Sequence, residues 1–316
     1  MNILFASDLH GQARHYGELL SLAHKLGSDC LLLGGDLLPT KLGGFSPLFS
    51  GGIDFNAGLQ NQLEFIDTTL APLLNEFMGS HPGTRVFYIP GNHDWVIAME
   101  HLAATVPRAV NLHLYQACLQ GYCFVGYACV TDSSFWVKDY VRRDNPLDGA
   151  VPSRYACIST PQGIQPTADG AYIRRHSSIQ EELAGLSIHD PEHTICLFHS
   201  PPFDSGLDTL HNGRAIGSRA IGEFILARQP LVTLHGHIHE SPYMSGVFHT
   251  HIGRTLSVNA GHGHKRLHAV SFDPANPDAT LTHSLFGSGG PVAGGYGLDR
   301  FSLKIKALVL QSFFSK

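Results

Sequence analysis

Apolar and polar residues alternate along the first two-thirds of the chain with two different periods. Short apolar runs at Asn2–Ala6, Cys30–Leu33, Arg85–Ile89, Thr194–Phe198 and Leu231–Leu234 predict strands buried on both faces. Between them lie helical stripes. Tyr16, Leu19, Leu20, Ala23 and Leu26 form one, with Gly27 as its stop. Leu59, Leu63, Ile66, Leu70, Leu73 and Phe77 form a second, and Pro72 within it predicts a kink or break. Ile216, Ala220, Ile221, Phe224 and Ile225 form a third. Strand and helix in alternation imply βα units, with helices packed on a sheet.

After Gly236 the pattern changes. Val247–Ile252, Arg254–Asn259, Arg266–Phe272 and Thr280–Phe286 read as short strands without intervening helices, an antiparallel edge or a second sheet. Three stretches lack periodicity: Thr40–Gly58, Asp132–Arg175 and the Gly-rich Gly287–Gly297. Loops as long as the first two usually form functional lids or lack order. The expected organisation is one catalytic domain over 1–286, then a linker and an apolar segment, Phe301–Phe314, over 287–316. That last segment would dock on the body or on a second subunit, the latter giving a homo-oligomer.

Each of the five strands is followed by residues that can carry chemistry. Asp8-Leu9-His10, Gly35-Asp36, Gly91-Asn92-His93-Asp94, His199 and Gly236-His237-Ile238-His239 follow them in chain order. Ligands of open α/β sheets bind outside the carboxyl ends of the strands, so these side chains would converge on one edge. Carboxylate, amide and imidazole donors together suit Mn, Fe or Zn better than Mg or Ca, which prefer oxygen shells. Gly35, Gly91 and Gly236 each precede a proposed ligand, where a tight turn or close backbone approach leaves no room for a Cβ. Two metals about 3.5–4 Å apart can hold a hydroxide and clamp a phosphoryl group during in-line displacement. His93 lies beside a proposed ligand without being needed as one, so it can act as general acid, with Asp94 orienting it.

Composition adds limits. Among 21 histidines a single match carries little weight, and only the five motifs occurring together are informative. A formal net charge of −5 offers no electrostatic argument for a nucleic-acid partner. The six cysteines include no C-x-x-C pair, and Cys118, Cys123 and Cys129 read as small hydrophobes on or near a strand rather than as a metal knuckle. No charged leader precedes the first strand and no apolar run is long enough to span a bilayer, so a reducing, cytoplasmic setting without membrane partners is the expectation. Asn212 reads as a helix N-cap, and His249 and His251 as a solvated strand face. His262 and His264, in the turn Gly261–Gly263, either reach the metal rim or belong to a solvated turn.

The order D-x-H, G-D, G-N-H-D, H, G-H-x-H resembles the calcineurin-like metallophosphoesterase superfamily, over Asp8 to His239. The resemblance implies an α/β fold, a four-layer α/β/β/α sandwich of two mixed sheets flanked by helices. It implies a binuclear centre with one metal on Asp8, His10, Asp36 and His239, and the other on Asp36, Asn92, His199 and His237. A bridging hydroxide would attack a small phosphodiester or phosphomonoester in line, and His93 would protonate the leaving group. Gly-Asn-His-Asp is similar to the cyclic-nucleotide and nuclease branches, which favours diesters. Gly35-Asp36 continues as Leu37-Leu38-Pro39-Thr40, unlike the G-D-x-V-D-R-G of the protein phosphatases, so a protein substrate is disfavoured. Two alternatives stand beside this reading. One is a nuclease of the same superfamily, which would need a basic groove. The other is a catalytically silent metal-binding scaffold, which would be expected to have lost ligands or His93.

Overall fold

In a computed structural model the described residues are 1–40, 54–153, 155–167 and 170–290. The first sheet contains the strands Ile3–Ala6, Cys30–Gly34, Arg85–Ile89 and Val110–Asn111 in parallel. Val270–Phe272 joins Ile3–Ala6 antiparallel, and Thr282–His283 closes that edge, giving six strands. In the second six-stranded sheet Tyr122–Tyr127, Thr194–Phe198, Val232–His235 and Thr255–Asn259 run parallel. Gln116–Leu119 and His249–Ile252 flank them antiparallel.

The inner strands Ile3–Ala6 and Cys30–Gly34 are apolar throughout because each is covered on both faces. Ile3 to Ala6 and Ile195 to Phe198 are all buried. The sheets meet face to face, with Phe87 of the first against Phe124 of the second at 5.1 Å between ring centroids. Helices cover the outer faces. Ala13–Leu26 ends at Gly27, whose left-handed backbone (φ 58°) turns its amide onto Ala23 and His24 carbonyls. The second stripe breaks as Pro72 predicts: Phe55–Phe65 passes through a π-helical turn, Ile66–Leu70, into Ala71–Ser80 with the proline in its first turn. Arg219–Arg228 packs on the second sheet through Phe224 against Phe198 and is capped by Ser218, whose hydroxyl accepts the Ile221 amide at 3.0 Å. The expected four-layer sandwich is the fold observed.

Several local expectations need correction. Thr255–Asn259 is parallel to its inner neighbour, and the strands after Gly236 are divided between the edges of both sheets. The short helix Ser241–Ser245 precedes them and Pro277–Thr280 interrupts them, both too brief to leave a helical period. Asp132–Arg175 is not featureless. It contains the hairpin Cys157–Thr160 with Gly163–Pro166, the strand Val141–Arg142 paired with Val130–Thr131, and the helix Ala171–Arg175. Asn212 is no N-cap: its carboxamide oxygen accepts the Arg214 amide at 3.1 Å in a turn well before the helix. Cys118 and Cys123 face each other across the hairpin Gln116–Tyr127 and form a disulfide. The segment Phe301–Phe314 and residues 41–53 of the Gly-rich stretch lie outside the described residues. No helix among the described residues is long and apolar enough to cross a membrane.

Candidate metal centre

Three motif-bearing strands belong to the first sheet and two to the second, and their carboxyl ends meet where the sheets face each other. The chain leaves each strand in a sharp turn. Asp8, His10, Asp36 and His237 all take left-handed backbone conformations, φ 45° to 61°, which Asp and His tolerate better than most residues. The first two turns are stitched together: the Asp8 amide donates to Gly35, His10 to Asp36 and Gly11 to Leu37, each at 2.8–2.9 Å. A Cβ on Gly91 would collide with the Asp36 carboxylate, and one on Gly236 with Ser7 and Asp8, so both glycines are required by close approach.

All seven expected ligands come together. Asp8, Asp36 and His199 bring one donor atom each within 4.8 Å of one another, and so do His10, Asp36 and His93. Asp36 lies between the two groups. His199 places Nε2 3.3 Å from Asn92 Oδ1 and 3.5 Å from Asp36 Oδ1. Its Nδ1 lies 2.8 Å from the Gly34 carbonyl, which accepts that proton and leaves Nε2 as the basic nitrogen. The His237 ring lies 5.3 Å from that of His199, and the His237 amide donates to both Asp8 oxygens at 3.0 and 3.1 Å. The His239 ring lies 6.0 Å from that of His10, with Nδ1 3.5 Å from Glu240.

The electrostatics suit a cation. Burial pushes the Asp8 carboxyl up to about 7, and the charge on Asp36 adds to the cost, against the pull of His199. Burial lowers His10 well below the ordinary histidine range and His237 to about 3, so both offer neutral imidazole lone pairs. Burial also opposes charge on Asp36 and His199, but the imidazoles of His93, His199 and His10 outweigh it for Asp36, and the Asp36 carboxylate outweighs it for His199. Asp36 falls well below the usual carboxylate range and His199 rises to about 9. Buried carboxylates together with imidazole nitrogens are the donor set of a transition-metal site, and the residues fit one.

The two proposed catalytic residues differ in position. His93 is about a quarter exposed, with Nε2 3.8 Å from Asp36 Oδ2 and Nδ1 3.0 Å from Thr40 Oγ1. Asp94 is fully buried, and its carboxylate accepts the amides of Leu37, Leu38 and Gly91 at 2.8–3.1 Å. It ties the turn after Asp36 to the turn holding Asn92 and His93. Burial and the Asp36 charge push its carboxyl up to about 7 while those three amides pull it back.

Sequence reasoning missed several residues. Thr40 also lies 3.2 Å from His10 Nδ1, so one hydroxyl joins two imidazoles. Gln62 donates to the carbonyls of Pro39 and His93 and accepts the Trp95 amide, clamping the same two turns from the side. The available signal was a buried glutamine inside an apolar helical stripe. His262 is not in a solvated turn but 3 % exposed, its ring 5.8 Å from both His10 and His239, whereas His264 is exposed. The His262 Nε2 lies 3.0 Å from the Gln12 carboxamide.

The sequence profile described as calcineurin-like phosphoesterase matches residues 1–241. The chain belongs to that family. Membership carries metal-dependent phosphoester hydrolysis at a dinuclear centre, with Asp and His donors of the kind assembled here. Among solved structures this phosphoesterase is similar to one crystal structure at 16% identity and TM-score 0.57, covering 89% of this chain and 97% of the other. TT1561 of Thermus thermophilus is similar at 18% identity and TM-score 0.51, covering 89% of this chain and 97% of the other. A dimetal phosphatase from Danio rerio aligns at 10% identity and TM-score 0.47, covering 86% of this chain and 91% of the other. At such identities the first two likenesses establish a shared fold. No curated protein matches the chain as a relative.

Proposed function

We propose that this phosphoesterase hydrolyses a small phosphodiester, using His93 as the general acid. The observation that carries the reading is the placement of His93. It lies 3.8 Å from Asp36, the carboxylate common to both donor groups, and is about a quarter exposed where Asp36 is buried. One metal would be held by Asp8, His10, Asp36 and His239, the other by Asp36, Asn92, His199 and His237. When bound, the two ions supply Lewis acidity and an activated water.

The chain's own residues do the rest. Thr40 Oγ1 has two lone pairs and can accept from both Nδ1 atoms. That leaves His10 Nε2 without a proton and able to face a metal, and makes Nε2 of a protonated His93 the end that donates. Asp36 Oδ2 lies 3.8 Å from that Nε2. The leaving alkoxide takes the Nε2 proton as its bond to phosphorus breaks, and solvent restores it. Asp94 acts through the backbone, holding the two turns that carry Asp36 and His93.

The test compares bis-p-nitrophenyl phosphate with p-nitrophenyl phosphate after Mn²⁺ is supplied to metal-free protein. Faster diester cleavage is the expected result, and faster monoester cleavage reverses the substrate assignment. Stoichiometric metal with neither reaction would leave a silent scaffold as the better description.

A further inference from the structure

The segment between the strands Tyr122–Tyr127 and Thr194–Phe198 reaches back over the site and lays an aromatic ring on His93. The Phe135 ring lies 4.4 Å from the His93 imidazole, centroid to centroid, tilted by 34°, and Trp136 lies 4.5 Å from Phe135. The His93 backbone is fixed by other means: its amide donates to Asp36 Oδ1 at 2.8 Å, and its carbonyl accepts from the Gln62 carboxamide at 2.8 Å. The two side-chain torsions remain to be fixed, and the ring is about a quarter exposed. Thr40 meets Nδ1 at 3.0 Å, and the His10 ring lies 4.9 Å away at an angle of 76°. One hydrogen bond at Nδ1 is a pivot rather than a clamp, so the contact on the face of the ring is what opposes its swing.

We propose that Phe135 is a positioning residue for the general acid: it braces the imidazole so that Nε2 faces the leaving oxygen, and it thereby sets how poor a leaving group this phosphoesterase can expel. Two observations carry it. The first is the contact itself, since neighbouring aromatic rings attract beyond the area they bury, and a ring against the face of an imidazole obstructs its rotation. The second is that Phe135 is itself held on both flanks. Its amide donates to Ser133 Oγ at 3.3 Å. Lys138 Nζ donates to the Ser133 carbonyl and forms a nearly buried ion pair with Asp132 at 2.7 Å. The other Asp132 oxygen accepts the Val151 amide at 2.7 Å, and the Trp136 carbonyl accepts the Cys157 amide at 2.9 Å. A general acid works only within hydrogen-bond reach of the oxygen that it protonates, so order in its ring becomes rate. In the step concerned, a water oxygen bonds to phosphorus, the bond to the leaving oxygen breaks, and the Nε2 proton passes to that oxygen. A more basic leaving oxygen needs that proton more, and there the brace matters most.

The proposal rests on the proposed hydrolysis for its effect on rate, but not for the ordering of the ring. Methyl p-nitrophenyl phosphate and methyl phenyl phosphate are diesters that share a methyl group and differ in the leaving group. With the full chain loaded with Mn²⁺, Phe135→Leu should lower kcat for the phenyl ester by roughly tenfold to hundredfold, a part of the general acid's own contribution, and change the p-nitrophenyl ester by no more than about twofold. Phe135→Tyr keeps the ring and should restore both rates. In a His93→Ala background, Phe135→Leu should slow neither ester further. Equal slowing of both esters, or an effect that persists without His93, marks a merely structural Phe135 and overturns the proposal. The ordering is read without turnover, by ¹³C relaxation of the histidine rings in Zn²⁺-loaded protein. The His93 ring, assigned by its loss in His93→Ala, should be rigid in the unsubstituted protein and in Phe135→Tyr, and mobile in Phe135→Leu. An equally rigid ring in Phe135→Leu refutes the brace whatever the rates do. A ring loosened by Phe135→Leu, together with a His93→Ala protein that slows both esters alike, would keep the brace and refute the general acid.

Discussion

The five turns at the metal centre and the long crossover from Cys129 to Pro191 frame the same site by different physical means. The turns hold their residues through the backbone: amide-to-carbonyl stitches join two of them, and Asp94 binds three further amides. Their geometry is fixed by strand ends and left-handed φ values, so the donors lie at short, regular offsets in the chain. The crossover holds its residues through buried charged side chains, Lys138 with Asp132 and Arg142 with Glu182 at 2.9 Å. Its partners are separated by up to 40 residues. Machinery common to a family can be encoded locally. The aromatic pair beside His93 sits on a segment held partly by pairs distant in the chain.

The widest separation between the two regions should come from the ligands. Asp36→Ala or His237→Asn should remove metal and activity together, measured by metal content and turnover on one preparation. His93→Ala should retain both metals and slow a substrate with a poor leaving group by ~10²–10⁴-fold. Full activity of that variant would refute the general-acid role. On the crossover side, Lys138→Met leaves Asp132 buried and unpaired, and should cost about 3–5 kcal/mol in chemical denaturation. Adding Asp132→Leu should recover much of the loss, since the pair would then be replaced rather than broken.

Smaller effects refine the contrast. Thr40→Val removes an acceptor for a charged His93, which at about 1.5–3 kcal/mol should slow turnover by roughly ten- to a hundredfold with both metals bound. The least effect concerns acid. Burial lowers His113 and His283 to about 4 and His268 to about 3, so all three are neutral in the fold. Their contribution to stability is complete above the ordinary histidine pKa near 6.5. It declines as pH falls from there through 4 toward 3, because the unfolded chain binds protons that the fold refuses. Melting temperatures of metal-free protein should therefore drop over that interval. His113→Asn, which keeps an acceptor for the Ala128 amide, should flatten the decline.

The sequence alone determined the strand ends, the order of the donors and the family they resemble. An apolar run followed by Asp, His or Gly-Asn-His-Asp states both the strand and what its end carries, and the positions lie within a few residues of one another. The break at Pro72 and the stop at Gly27 were legible for the same reason, since both follow from local backbone preference. Only the tertiary structure decided what Thr40, Gln62, Asp94 and His262 do. A threonine that joins His10 to His93 is 30 residues from one and 53 from the other, and no local period records such a distance. The crossover was unreadable because its order comes from paired buried charges, which leave no alternation of apolar and polar positions. Hydrophobic patterning tells which face of an element is buried; the partner it meets there is fixed by how the two sheets close on each other.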